Sequence, residues 1–141
     1  MAAEKCQMLT ARDLGYVGDG NENPVEVIID GFVGKGELRR EDGTKTEGVS
    51  VRFKGAKRAL ELNKSNETLM RIACGVSINC DHSECIGKKV SLTVRWVDNR
   101  GDIVPAVRFV ITDEQIALLP SQLRGRNLAQ SIGKPIPWSR N

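Results

Sequence analysis

The order of the elements between residues 25 and 111 limits the possible folds more than any other feature of this chain. Five runs are β-rich or alternate between apolar and polar residues, and each predicts a strand. The predicted strands are Val25–Val33, Val49–Phe53, Arg58–Leu62, Val90–Val97 and Val104–Ile111. A short helix, Ser65–Cys74, is predicted between the third and the fourth strand, and the last two strands form a hairpin around residues 98–102.

A single helix between the third and fourth of five strands is the order of the OB-fold, a small Greek-key barrel that typically binds single-stranded nucleic acid or sugars. The sequence therefore predicts a mainly β chain in three parts. Residues 1–24 form an N-terminal arm, residues 25–111 the OB-like barrel, and residues 112–141 a C-terminal helix and an extended arm. Fold and function are separable, so this order does not by itself fix what the chain does.

Capping residues predict where the helices begin and end, and one strand shows an irregularity. Ser65 is a suitable N-cap and Gly75 stands at the C′ position, while Thr112 opens a capping box with Gln115. In the first strand Phe32 falls on the side opposite the core valines. That position indicates either a bulge near Gly31 or a second covered face.

Net charge is only +3, from 21 basic and 18 acidic residues, so a nucleic-acid surface must come from where the cations stand. The chain has no run of 18 apolar residues, which argues against a membrane-spanning helix. The first residues lack the pattern of a signal peptide. We therefore expect a cytoplasmic protein that does not interact with membranes.

The basic residues of the second strand and of the closing hairpin predict a binding face. If the apolar residues of these strands face the core, the cations point outward and could follow a phosphate backbone. The candidate nucleic-acid-binding residues are Arg52, Lys54, Lys57, Arg58, Arg95, Arg108 and the aromatic Phe32. The alternative interpretation of these cations is a solubilising surface.

Aromatic residues are scarce. Phe53, Trp96 and Phe109 are required by the core pattern, which leaves Phe32, Tyr16 and Trp138 as candidates for base stacking. Single-strand binders usually stack bases on aromatic side chains, so this scarcity argues against tight binding. Phe32 could equally cover a second small core.

Three cysteines and the single histidine cluster after the helix. Cys74, Cys80, His82 and Cys85 could in principle hold zinc in a tetrahedral site. Their spacing is cramped and includes no C-x2-C pair, so we expect reduced thiols, no metal and no cofactor.

The sequence does not predict an enzyme. It has one histidine and no nucleophile-elbow, Walker or zinc-protease motif. The glycine-rich run of residues 31–36 precedes no helix. We therefore expect a non-enzymatic single-stranded nucleic-acid binder. The alternative is a structural or assembly module, such as a virion component, that uses the barrel as a scaffold and both arms for subunit contacts. We also expect the apolar C-terminal arm to contact a protein partner or another copy of the chain.

Three short pieces of sequence carry a family resemblance. They are residues 51–55 (VRFKG), residues 62–66 (LNKSN) and residues 86–90 (IGKKV), the last followed by residues 105–108 (PAVR). In this order they resemble a family of small, mostly uncharacterised phage and prophage proteins. The resemblance covers roughly residues 25–110. It implies an OB-like barrel, DNA rather than RNA as the ligand, a role in phage replication or recombination, and a bacterial host cytoplasm. The chain departs from the family at Cys85, where tryptophan is usual.

Overall fold

The computed structural model describes residues 6–8, 24–34, 38–39, 43–45, 48–99, 101–123 and 125–134. The chain is mainly β, and five antiparallel strands form a curled half-barrel. The strands are β1 (Cys6–Met8), β2 (Val25–Val33), β3 (Leu38–Arg39), β4 (Ser50–Phe53), β5 (Arg58–Glu61), β6 (Lys89–Asn99) and β7 (Asp102–Phe109). The helices are α1 (Lys64–Cys74), α2 (Asp113–Ala117) and α3 (Arg126–Ile132), with 3-10 turns at His82–Cys85 and Ser121–Leu123.

The five antiparallel strands follow the order β5-β4-β2-β6-β7 across the sheet. Strand β2 pairs with β4 along its second half and with β6 along its first half, so it is the central strand. The short strands β1 and β3 continue the sheet beyond β5 in parallel pairing. The sequence predicted an irregular arm and a loop in these two places, because strands of two or three residues leave no periodic signal.

The curvature gives the sheet an inner and an outer side. The inner side carries the core, including Ile29, Val51, Leu92 and Phe109, all nearly inaccessible to solvent. Among the described residues, no backbone pairing joins β5 to β7, which are the strands that would close a barrel. The half-barrel is therefore what the hydrogen bonds define, and a closed OB barrel stays a prediction.

A β-bulge in β2 changes the side on which Phe32 lies. The register of β2 against β4 shifts between Ile29 and Gly31, after which Phe32 pairs with Val51. Directly paired residues point to the same side of a sheet, so Phe32 lies on the inner side and packs against the core. The predicted bulge near Gly31 is confirmed, and it places Phe32, a candidate for base stacking, against the main core.

Helix α1 lies on the inner side of the sheet. Its residues Leu69, Met70 and Ile72 are buried in the same core as the strands. Gly75 ends the helix with φ 76, a left-handed conformation that glycine adopts without strain, as predicted. The N-cap is Asn63 and not the predicted Ser65, since the Asn63 side chain accepts a hydrogen bond from the Asn66 backbone N–H at 2.8 Å. Within the described residues, no helix is long and apolar enough to cross a membrane.

The segment after β7 packs on the sheet more closely than the sequence indicated. The predicted capping box of α2 is confirmed, but the following residues, predicted to be extended, include helix α3. Leu128 of α3 is buried in the core, and Lys134 exchanges two backbone hydrogen bonds with Trp96 of β6. A Cβ at Gly133 would lie 2.9 Å from the Cβ of Arg95, so this close approach requires glycine. Residues 135–141, including Trp138, lie outside the described residues.

Candidate nucleic-acid interface

Two lysines on the outer side of the sheet flank an exposed isoleucine. Ile28 of β2 pairs directly with Lys89 of β6, and the backbone N–H of Lys54, at the end of β4, donates to the carbonyl of Ile28 at 2.9 Å. All three residues are exposed, and Ile28 keeps 36% of its accessible surface. Adjacent strands are about 4.8 Å apart, so the backbones of the two lysines are about 10 Å apart across β2. We call Ile28, Lys54 and Lys89 the lysine crossing.

Carboxylates border the lysine crossing along the central strand. Glu26 and Asp30 lie on β2 two residues before and two residues after Ile28, and both are exposed. Each is about 7 Å from Ile28 along the strand. Arg52 of β4 is exposed too, and it pairs with Gly31 at the bulge beside Asp30. Along β2 an acidic residue therefore lies on each side of the lysine crossing, and Arg52 lies beside one of them, Asp30.

The other two predicted cations near β4 differ in exposure. Lys57 is exposed in the connection between β4 and β5. Arg58 is the first residue of β5 and is partly buried. Because side chains alternate along a strand, Arg58 shares the side of the sheet on which the core residue Leu60 lies. It does not lie on the outer side with Arg52.

The two arginines of the hairpin lie behind helix α3 and not on an open face. Arg108 is only 8% exposed, contrary to the prediction that it points into solvent. Its Nε donates to the carbonyl of Ser131 in α3 at 2.9 Å, and its Nη1 donates to the carbonyl of Val107 at 3.0 Å. Burial lowers the pKa of Arg108. Arg95 is partly buried beside Gly133. It lies on β6 two residues after Thr93, which pairs with Arg108.

The three phenylalanine rings, Phe32, Phe53 and Phe109, pack in the core or against it. Phe53 and Phe109 are buried with their ring centroids 6.3 Å apart and their planes tilted by 55°. The ring of Phe32 lies 5.4 Å from that of His82. The two remaining stacking candidates, Tyr16 and Trp138, lie outside the described residues. At the lysine crossing the central side chain is therefore aliphatic.

The histidine and the cysteines do not assemble into a metal site. His82 Nε2 lies 2.8 Å from Glu67 Oε2, which connects the 3-10 turn to helix α1. Cys85 is buried in the core, Cys74 is half-buried against it, and burial raises the pKa of both thiols. No group of three or more His, Cys, Asp or Glu side chains within the described residues is arranged to hold a metal ion.

Lys89 and Ile28 were not predicted from the sequence to be neighbours on the surface. Alternation along β6 was enough to place Lys89 on the outer side, opposite the buried Val90. What it lacked was the register between β2 and β6, which are separated by more than fifty residues of chain. That register brings Lys89 beside Ile28.

Comparison with known proteins finds no family model, no curated protein and no solved structure that matches this chain. The resemblance to phage proteins therefore stays a prediction, and the function must be argued from the site.

Proposed function

We propose that this protein is a non-enzymatic single-stranded nucleic-acid-binding protein whose ligand lies across the outer side of the half-barrel. The observation that carries the proposal is the lysine crossing, in which Lys54 and Lys89 are held at a fixed separation on either side of Ile28. Cations held on a rigid sheet can bind successive phosphates of a flexible strand and release counterions.

The flanking carboxylates define a path for the ligand. A strand that followed β2 lengthwise would bring its phosphates against Glu26 and Asp30, and like charges repel. A strand that runs across the sheet meets Lys54 and Lys89 in turn and avoids both acids. We infer that the nucleic acid runs across the strands. With two phosphates engaged, log affinity should fall with log salt at a slope of about −1.4, from about 0.7 per phosphate.

Fluorescence anisotropy of a labelled oligo-dT at two salt concentrations tests the proposal. Lys54→Glu with Lys89→Glu should weaken binding by about two orders of magnitude and make the salt slope shallower. Glu26→Gln with Asp30→Asn should strengthen binding, since repulsion beside the path is removed. Lys54→Glu alone should weaken binding less than the double variant. Lys64→Glu is the matched control for Lys54→Glu alone, because it makes the same single charge reversal on helix α1, on the inner side of the sheet.

The melting temperature of each variant should stay close to that of the parent, because all five positions are exposed. No binding at low salt would overturn the proposal. So would equal losses of affinity in Lys54→Glu alone and in the Lys64→Glu control. A duplicate titration with oligo-U tests the prediction that DNA is preferred to RNA.

We also infer that the half-barrel is an OB-type barrel left open. The strand order β5-β4-β2-β6-β7, with α1 following β5 in the chain, supports this relationship. The free edge of β7 has another partner, since the Val107 carbonyl accepts a hydrogen bond from Asn66 Nδ2 of α1 at 3.1 Å. The edge of β5 that would complete the barrel is paired with β1 instead.

A structural or assembly role is the second candidate, and one observation favours it. Leu118 at the end of α2 is 86% exposed and Ile103 at the hairpin is 54% exposed, so apolar surface remains for a protein partner or a second copy. Sedimentation velocity of the parent and of Leu118→Asp tests this role. An assembly that Leu118→Asp disperses would support it, and a concentration-independent monomer would count against self-association.

A further inference from the structure

Two exposed carboxylates lie on the outer side of β2, one on each side of the lysine crossing. Glu26 pairs with the uncharged Ser91 of β6, and Asp30 lies in the bulge directly before Gly31. Residues two apart in a strand share a side of the sheet, so both carboxylates lie on the side of Ile28. A ligand bound to the lysines therefore has negative charge beside it in both directions along β2.

The space between the two carboxylates admits one phosphate backbone. They are about 14 Å apart along the strand, and the lysine crossing lies midway between them. A single strand that runs from Lys54 to Lys89 keeps its phosphates about 7 Å from each carboxylate. Its bases can turn away from the sheet, because no second strand holds them in a stack.

A duplex places a second phosphate backbone close to the first. On one side of a bound strand the complementary strand lies across the minor groove, and on the other side it lies across the major groove. These grooves are about 6 Å and about 12 Å wide. In either orientation of the duplex, phosphates of the complementary strand therefore lie near Glu26 and near Asp30. Like charges brought together in this way disfavour a ligand without weakening the preferred one to the same extent.

We infer that Glu26 and Asp30 are specificity-determining residues that exclude double-stranded DNA from the lysine crossing. The inference rests on the proposed function, because it concerns the ligand of the same surface. Arg52 pairs with Gly31 and lies beside Asp30, so a positive charge accompanies the carboxylate on that side. The partner of Glu26 is the uncharged Ser91. Glu26 is therefore the stronger determinant of the two.

The test uses one labelled DNA strand of mixed sequence, alone and annealed to its complement. Fluorescence anisotropy at low salt gives the affinity of the protein for each form. We expect the parent to bind the single strand more tightly than the duplex. Glu26→Gln should strengthen binding of the duplex about tenfold and of the single strand about threefold, because repulsion decreases with distance from the carboxylate. Asp30→Asn should change the ratio of the two affinities in the same direction by a smaller factor.

Glu114→Gln is the matched control. It removes the same charge from an exposed position of α2, a helix held to α1 by a hydrogen bond of 3.2 Å from Gln115 Nε2 to the carbonyl of Ala73. The control should leave the ratio of single-strand to duplex affinity at the parent value. All three substituted residues are exposed, so the melting temperatures should stay close to that of the parent.

The outcomes separate this inference from the proposed function. Equal gains for the single strand and the duplex in Glu26→Gln would overturn the inference and leave the proposed function in place. The inference also fails if Glu114→Gln changes the ratio as much as Glu26→Gln does, or if the parent binds both forms equally. A parent that does not bind the single strand at low salt would overturn the proposed function, and this inference with it.

Discussion

Replacing Arg108 tests whether this arginine stabilises the fold or binds the ligand. The sequence analysis placed Arg108 on an outward cationic face, where its truncation would weaken nucleic-acid binding and leave stability unchanged. In the structure Arg108 is buried and joins β7 to α3, since its guanidinium donates to the carbonyls of Ser131 and Val107. Ser131 lies in the last turn of α3, where carbonyls have no partner within the helix.

The cost of Arg108→Ala follows from these two bonds. A hydrogen bond from a charged donor contributes about 1.5–3 kcal/mol, and a buried carbonyl left without a donor costs about 1–3 kcal/mol. The Val107 carbonyl keeps its bond from Asn66, so the main loss is at Ser131. The desolvation of the guanidinium offsets part of the gain. We expect Arg108→Ala to lower the free energy of unfolding by about 2–4 kcal/mol.

Thermal unfolding followed by circular dichroism measures this loss. A chain of 141 residues has an unfolding entropy of about 300 cal/mol/K, so the melting temperature should fall by about 7–13 °C. The exposed Lys54→Ala is the control and should melt within about 2 °C of the parent. If Arg108 joins β7 to α3 and does not bind the ligand, Arg108→Ala leaves the slope of log affinity against log salt for oligo-dT unchanged. An unchanged melting temperature combined with a slope shallower by about 0.7 would refute it.

Three further predictions follow from the described contacts. Asn63→Ala should lower the free energy of unfolding in urea by about 1 kcal/mol, because Asn63 is the N-cap of α1. Ser65→Ala should lower it much less, and the reverse order would contradict this assignment. Under reducing conditions the free energy of unfolding should fall as the pH rises from 9.0 to about 12. In that range the unfolded chain loses the Cys74 proton and the folded chain retains it. Cys74→Ser should make the measured fall shallower. An abasic oligomer should bind within about threefold of oligo-dT of equal length, because the lysine crossing presents an aliphatic side chain, whereas stacking would add about 1–3 kcal/mol per base.

Much of the fold follows from patterns within short stretches of sequence. The predicted strand Val25–Val33 has the bounds that the structure gives β2, and the capping box of Thr112 and Gln115 is present. Alternation, capping residues and a C′ glycine act over a few residues, so they can be read without knowing what packs nearby. The N-cap of α1 was misplaced by two residues because Asn63 and Ser65 are both suitable capping residues.

The composition of the candidate site depended on contacts between distant parts of the chain. Alternation indicates only which residues share a side of a strand, while the segment that covers that side comes from elsewhere. The bulge at Gly31 moved Phe32 to the core, and helix α3 buried Arg108. The register of β2 against β6 brought Lys89 beside Ile28. A one-residue shift in register reverses every side chain that follows it, and no local pattern records that shift.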